Sequence, residues 1–120
     1  MKGGNNLELQ EKKHYRIRSR KKEMYYVSFS KHARQRLDER CVNMLDVIVS
    51  LSVHSEELAA LSEKGEILFM DDNQQLSVLL SVSESDGGGC HFNVITILNA
   101  VPRDEQGKPR FKVEAIVQAS

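Results

Sequence analysis

Polar and apolar positions alternate in two segments near the start of the chain, and this period of two predicts β-strands. The segments are 14–18 and 24–29, and the polar, basic residues 19–22 between them predict a hairpin with a basic tip. Residues 1–10 are mainly polar, so we expect a flexible tail there, followed by a single domain over residues 11–120.

A helical period follows the hairpin and predicts two or three helices. Ser30 is a good N-cap for the first helix, whose apolar stripe contains Ala33 and Leu37. Asn43 is expected to cap the second helix, and a short third helix is predicted over residues 56–63, although the two could also form one bent helix. The predicted hydrophobic face of the second helix consists of Leu45, Ile48, Val49 and Leu51.

The period returns to two in the second half of the chain, where it predicts four strands joined by short turns. These strands are expected at residues 67–70, 75–83, 92–99 and 111–118. A hairpin, then helices, then strands is an order typical of an α+β domain. We therefore predict an α+β fold in which an N-terminal hairpin and two or three helices pack on a four- to six-stranded antiparallel sheet.

The size and composition of the chain are typical of one small domain with a single modest core. It has 120 residues, of which 40% are hydrophobic. Its apolar runs are much shorter than the roughly 18 residues that a membrane span needs, so we expect a cytoplasmic protein without a membrane partner. Cys41 and Cys90 lack the spacing of zinc ligands, no other cluster has ligand spacing, and no metal or cofactor is expected.

The net charge of zero hides a strong polarity along the chain. Residues 1–40 contain 12 Lys and Arg against 5 Asp and Glu, a balance of +7, whereas residues 41–120 contain 5 against 12, a balance of −7. If the basic segment gathers on one face, it forms a positive patch that attracts a polyanion despite the neutral total. The alternative is that the two halves neutralise each other within the fold.

One imidazole and two guanidinium groups recur at four-residue spacing in the first predicted helix. His32, Arg36 and Arg40 would follow one flank of that helix, beside the stripe that faces the core. Guanidinium groups match phosphate oxygens and imidazole titrates near neutral pH, so such a flank can bind a phosphate and move a proton. The alternative is a solvated helix face with ion pairs to Asp38 and Glu39.

Residues 29–40 also carry a motif, Phe-Ser-Lys-His-Ala-x-x-Arg-Leu-x-x-Arg. It resembles the opening of small bacterial and phage domains that read Ser-x-His-Ala-x-x-Arg-Met-x-x-Arg-Gly-Ile-Ser and are related to the RelE and BrnT type of ribonuclease toxin. Here Leu37 replaces Met, Cys41 replaces Gly and Asn43 replaces Ser. The resemblance spans residues 26–99, and it implies a fold of helices on a sheet of the RelE or barnase type.

The resemblance implies a metal-independent endoribonuclease toxin, which cleaves RNA by attack of a 2′-hydroxyl on the adjacent phosphate. Such chemistry needs proton carriers and cations. By position, His32 would be base or acid, and Arg36 and Arg40 the phosphate clamp, while the sequence itself offers His91 as a second proton carrier. The implied partners are RNA, with the ribosome as one setting, and a cognate antitoxin. Residues expected to contact RNA are Arg16, Arg18, Arg20, Lys21, Lys22, Lys31, Arg110 and Lys112.

The acidic second half of the chain keeps a non-catalytic alternative open, because fold does not imply function. In this alternative the chain is a binding module or an inhibitor, acting as a phage or bacterial regulator. It would use the basic arm of residues 12–22 to engage nucleic acid, or its acidic face to engage a basic partner. Whether the chain is an enzyme is therefore left to experiment.

Overall fold

Six strands and three helices form the part of the chain that the structure describes, in the order that the sequence pattern predicts. The computed structural model describes residues 15–18, 23–62, 65–84, 89–98, 101, 103–108, 110 and 113–119. The strands are β1 (Tyr15–Arg18), β2 (Met24–Phe29), β3 (Glu66–Asp71), β4 (Leu76–Glu84), β5 (Cys90–Leu98) and β6 (Ala115–Ala119). The helices are α1 (Lys31–Glu39), α2 (Met44–Val53) and α3 (Ser55–Ala59). The expected tail and hairpin tip lie outside the described residues.

The six strands form one sheet with the order β1-β2-β5-β4-β3-β6. The pairs β1–β2, β5–β4 and β4–β3 are antiparallel, as predicted, whereas β2–β5 and β3–β6 are parallel. The prediction of an antiparallel sheet is therefore correct for most pairs and wrong for two. Parallel neighbours need a long connection between the paired strands, and the three helices and the β3–β4 hairpin lie between β2 and β5.

The helices cover one face of the sheet and bury the core there. Ser30 caps α1 as predicted, because its Oγ accepts a hydrogen bond from the backbone N–H of Ala33 at 2.9 Å. Ala33 and Leu37 are buried in the core cluster, in agreement with the predicted stripe. None of the described helices is long and apolar enough to span a membrane.

The structure corrects the face on which α2 is buried. Ile48 and Leu51 are buried as predicted, together with Val47, but Leu45 and Val49 are exposed. Apolar residues surround most of this helix, so its sequence alone does not fix which side faces the sheet. The third helix is also shorter than its predicted span, since it ends at Ala59.

Candidate functional site

The first two residues of the expected flank of α1 lie side by side on the surface. Arg36 Nε donates to His32 Nε2 at 3.4 Å, as the four-residue spacing predicts. Arg36 also forms an ion pair with Glu39, with Nη1 and Oε1 2.9 Å apart. A surface ion pair of this kind contributes at most about 1 kcal/mol, so it leaves the guanidinium able to exchange Glu39 for a phosphate.

Arg40 does not join this pair. Its Nη1 donates to the backbone carbonyl of Ile97 on β5. Strand β5 extends to Leu98, past Val94, which is its last residue paired with β2. The backbone carbonyl groups on the β2 side of this extension therefore need other hydrogen-bond donors. Ser30 supplies two of them, from its N–H to the Val94 carbonyl at 3.0 Å and from its Oγ to the Ile95 carbonyl at 2.8 Å. Arg40 therefore caps an edge of the sheet, and the expected convergence of three side chains is reduced to two.

A second group of polar side chains lies on the face of the sheet opposite the helices, which we call the open face. Strand residues alternate between the two faces, and Val27 and Phe92 belong to the core. Their neighbours Tyr26 and His91 therefore point to the open face, where they are register partners. Arg16 is the register partner of Tyr26 on the edge strand β1, which makes a continuous row of three side chains.

Hydrogen bonds across β2 and β5 hold the imidazole of this row in place. Ser28 Oγ donates to Asn93 Oδ1 at 2.7 Å and lies 2.9 Å from His91 Nε2. Which atom donates in the second contact depends on the tautomer of the imidazole. The rings of Tyr26 and His91 lie 6.4 Å apart between centroids, at an angle of 50°. The open face thus presents an oriented imidazole beside an aromatic ring and an exposed guanidinium.

Apolar side chains occupy the other half of the open face, and they are buried. Leu68, Met70 and Leu79 lie there, at most 9% exposed. Arg103, in the connection between β5 and β6, donates from Nη2 to Met70 Sδ at 3.8 Å. The accessible polar part of the open face is therefore limited to β1, β2, β5 and the adjoining end of β4.

Gly89 allows β5 to begin next to β2, and this places His91. The glycine has a φ of 78°, in the left-handed region that other residues rarely adopt. A Cβ atom at this position would collide with the backbone carbonyl of Met24. Glycine is thus required where the β4–β5 connection passes the start of β2.

The other expected RNA contacts are spread over several elements. Arg16 and Arg18 are exposed on β1, Lys31 is exposed at the start of α1, and Arg110 is exposed between β5 and β6. Of these, only Arg16 belongs to the row on the open face among the residues that the structure describes. The remaining expected contacts, Arg20, Lys21, Lys22 and Lys112, lie outside the described residues.

A separate open cleft of about 440 Å³ lies at the junction of α2 and α3. Its lining residues are Arg18, Ser52, Val53, His54, Ser55, Glu56 and Glu57. His54 packs on Phe69 with ring centroids 5.5 Å apart, and its Nδ1 lies 3.8 Å from Glu57 Oε1. The cleft therefore carries charges of both signs, and it includes no residue of the open-face row.

Both cysteines are free thiols. Cys41 is exposed and Cys90 is buried. Burial raises the pKa of the Cys90 thiol, and the negative charges of Glu84 and Glu23 raise it further. Cys90 is therefore protonated at neutral pH and a poor nucleophile. Among the described residues, no group of three or more His, Cys, Asp or Glu side chains could hold a metal ion.

Of the residues in and around this row, the sequence predicted His91 and Arg16 as site residues, but not the residues that connect them. Tyr26, Ser28 and Asn93 were not expected in a site. The alternation in residues 24–29 already places Tyr26 and Ser28 on the same face of their strand. The pairing of β2 with β5 could not be predicted from the sequence, because no local pattern indicates which distant strand becomes a neighbour.

Comparison with known proteins does not identify the chain. A scan of protein-family models, a search of curated proteins and a search of solved structures each gave no match. Two surfaces therefore remain as candidates for function: the pair His32 and Arg36 on α1, and the row Arg16, Tyr26 and His91 on the open face.

Proposed function

We propose that this chain is a metal-independent endoribonuclease of the toxin type, and that its RNA substrate lies across the open face. The observation that carries the proposal is the row of Arg16, Tyr26 and His91, in which Ser28 orients the imidazole. A guanidinium, an aromatic ring and a titratable group on an open sheet are the parts needed to bind a phosphate, stack a base and transfer a proton.

The proposed binding mode uses the unstacked bases of single-stranded RNA. A base stacks on the ring of Tyr26, and the adjacent phosphate contacts the exposed guanidinium of Arg16 at the sheet edge. Stacking contributes about 1–3 kcal/mol per base, and the phosphate contact makes affinity depend on salt. RNA affinity should accordingly fall as the salt concentration rises.

The proposed reaction forms a bond from the 2′-oxygen to phosphorus and breaks the bond from phosphorus to the 5′-oxygen. The His91 imidazole accepts the proton of the 2′-hydroxyl, and the Tyr26 hydroxyl donates a proton to the departing 5′-oxygen. Arg16 stabilises the charge that develops on the phosphate. The products are a cyclic 2′,3′-phosphate and a 5′-hydroxyl end.

The helix flank is the second candidate for the same activity, and it follows from the resemblance to RelE- and BrnT-type toxins. In the motif of residues 29–40, Ser30 caps α1 and Leu37 is buried, while Arg40 binds a backbone carbonyl. The charged or titratable motif residues left to contact a substrate are Lys31, His32 and Arg36, and the last two touch each other. If the chain shares the RelE-like fold, this pair competes with the open face as the site of cleavage.

Cleavage of labelled RNA in EDTA tests the proposal and separates the two surfaces. The purified chain, His91→Ala and His32→Ala are compared under single-turnover conditions, with a readout for the cyclic phosphate. We expect His91→Ala to slow cleavage about 100-fold or more, since a positioned proton carrier contributes that much. His32→Ala should cleave at the wild-type rate. Circular dichroism and thermal unfolding show that each variant is folded.

Two outcomes would contradict this proposal. If His32→Ala abolishes cleavage and His91→Ala does not, the reaction takes place on the flank of α1. If the wild-type chain cleaves neither free RNA nor ribosome-bound RNA but binds RNA with a strong salt dependence, the chain is a non-catalytic binding module. Expression in a bacterial host adds an independent measure, because an active ribonuclease slows growth and His91→Ala relieves the effect.

A further inference from the structure

Helix α2 carries an apolar stripe on the side that faces away from the sheet. Leu45, Val49 and Val53 follow each other at four-residue spacing and are 64%, 58% and 68% exposed. At 1.5 Å per residue, the stripe is about 12 Å long. The opposite side of the same helix is buried in the core, so α2 is apolar on two sides. Contiguous exposed apolar side chains are a common feature of surfaces that bind another molecule.

The segment of the sequence that carries this stripe is acidic. Residues 43–62 contain three carboxylates, Asp46, Glu56 and Glu57, and no Lys or Arg. Val53 at the end of the stripe also lines the cleft of about 440 Å³, together with Glu56 and Glu57. Among the described residues of that lining Arg18 is the one Lys or Arg, so the cleft holds two carboxylates against one guanidinium. Asp46 adds a third carboxylate on α2.

We propose that the outer stripe of α2 docks a basic amphipathic helix of a partner protein. Side chains at four-residue spacing form a ridge that packs into the grooves of a second helix. The apolar side of the partner covers Leu45, Val49 and Val53, and a Lys or Arg near its end enters the cleft to meet Glu56 and Glu57. Charge favours this partner over a second copy of the chain, because two acidic surfaces repel each other.

A synthetic helical peptide tests this docking site on the full chain. The probe is a fluorescein-labelled 18-residue peptide with Leu on one side and Lys on the flanks, and its anisotropy reports binding. Val49→Gln should weaken peptide binding about tenfold, because it replaces the central apolar side chain of the stripe with a polar one. Val49 is exposed, so we expect the substitution to leave the fold unchanged. The matched control is Ile116→Gln, which alters a 44% exposed apolar residue on β6 and should leave the affinity unchanged.

Charge variants and self-association complete the test. The double variant Glu56→Gln, Glu57→Gln should lower the affinity for the basic peptide and make that affinity less dependent on salt. A peptide with Glu in place of Lys should not bind. The proposal is overturned if Ile116→Gln weakens binding as much as Val49→Gln, or if both peptides bind equally. It is also overturned if sedimentation shows a wild-type dimer that Val49→Gln dissociates, since a second copy then occupies the stripe.

Discussion

Cys41 ends helix α1 in a backbone conformation that usually belongs to glycine. Its φ is 53°, and the N–H of Val42 donates to the Leu37 carbonyl at 2.9 Å while the N–H of Cys41 donates to the Asp38 carbonyl. This pair of bonds is a Schellman motif, whose left-handed position favours glycine because a Cβ atom strains it. The side chain of Cys41 is exposed, so no packing offsets the strain.

Cys41→Gly should therefore stabilise the protein. We expect the free energy of unfolding to rise by about 1 kcal/mol, the cost of a left-handed non-glycine residue reduced by the greater freedom of glycine in the unfolded chain. Urea denaturation measures the change. Cys41→Ala is the control, because it removes the thiol but keeps the Cβ atom. Equal stability of the two variants would mean that the strain at this position is negligible.

A buried carboxylate connects two elements, the helix α2 and the turn after β3. Asp71 is 6% exposed, and its Oδ2 accepts from Ser50 Oγ on α2 at 2.5 Å. Its Oδ1 accepts from the backbone N–H groups of Asn73 and Gln74 at 3.1 and 3.3 Å. One side chain thus shapes the β3–β4 turn and fixes the helix above it.

Ser50→Ala should destabilise the fold, because it leaves Asp71 Oδ2 buried without its donor. An unsatisfied buried acceptor costs about 1–3 kcal/mol, and thermal or urea unfolding measures that loss. Ser52→Ala on the same helix is the control, since Ser52 is only half-buried and lines the open cleft. A loss no greater than that of the control would show that water replaces the Ser50 hydroxyl.

The elements were predictable from the sequence where one pattern is much stronger than its alternatives. Ser30 caps α1 and the alternating residues of β4 form a strand, both as predicted. The orientation of α2 was not predictable, because Leu45 and Val49 extend the same apolar pattern as Ile48 and Leu51. Packing against the sheet, together with the bond from Ser50 to Asp71, decides which side is buried.

The candidate site was harder to predict than the elements, for a physical reason. The alternation of apolar and polar residues indicates which face of its own strand a residue occupies. It does not report which strands become neighbours, and the row of Arg16, Tyr26 and His91 depends on two such pairings. The spacing in α1 did predict the contact of His32 with Arg36, since four residues along a helix are neighbours by geometry.

At the scale of the whole molecule, the open-face row and the outer stripe of α2 lie on opposite sides of the sheet. The row with His91 occupies the open face, whereas α2 belongs to the helical layer and points Val49 outward. Under the two proposals, RNA on the row and a partner helix on the stripe would not compete, since the row and the stripe share no residue.

Binding at the two surfaces should be independent. Val49→Gln should leave RNA affinity within about twofold of the wild type, and His91→Ala should do the same for the affinity of the basic peptide, as for well-separated sites in general. Anisotropy titrations with each probe, alone and with the other at saturation, measure the coupling. A tenfold change in either direction would mean that the sheet transmits a conformational change between its faces.

The pairing of β2 with β5 has a consequence for how any activity arises during synthesis. Ser28 and Asn93 are 65 positions apart in the chain, yet they share one hydrogen bond across that pairing. A nascent or prematurely terminated polypeptide that ends before β5 holds Tyr26 and Ser28 without His91. The proposed ribonuclease action on the open face would thus be withheld until β5 has been synthesised and paired with β2.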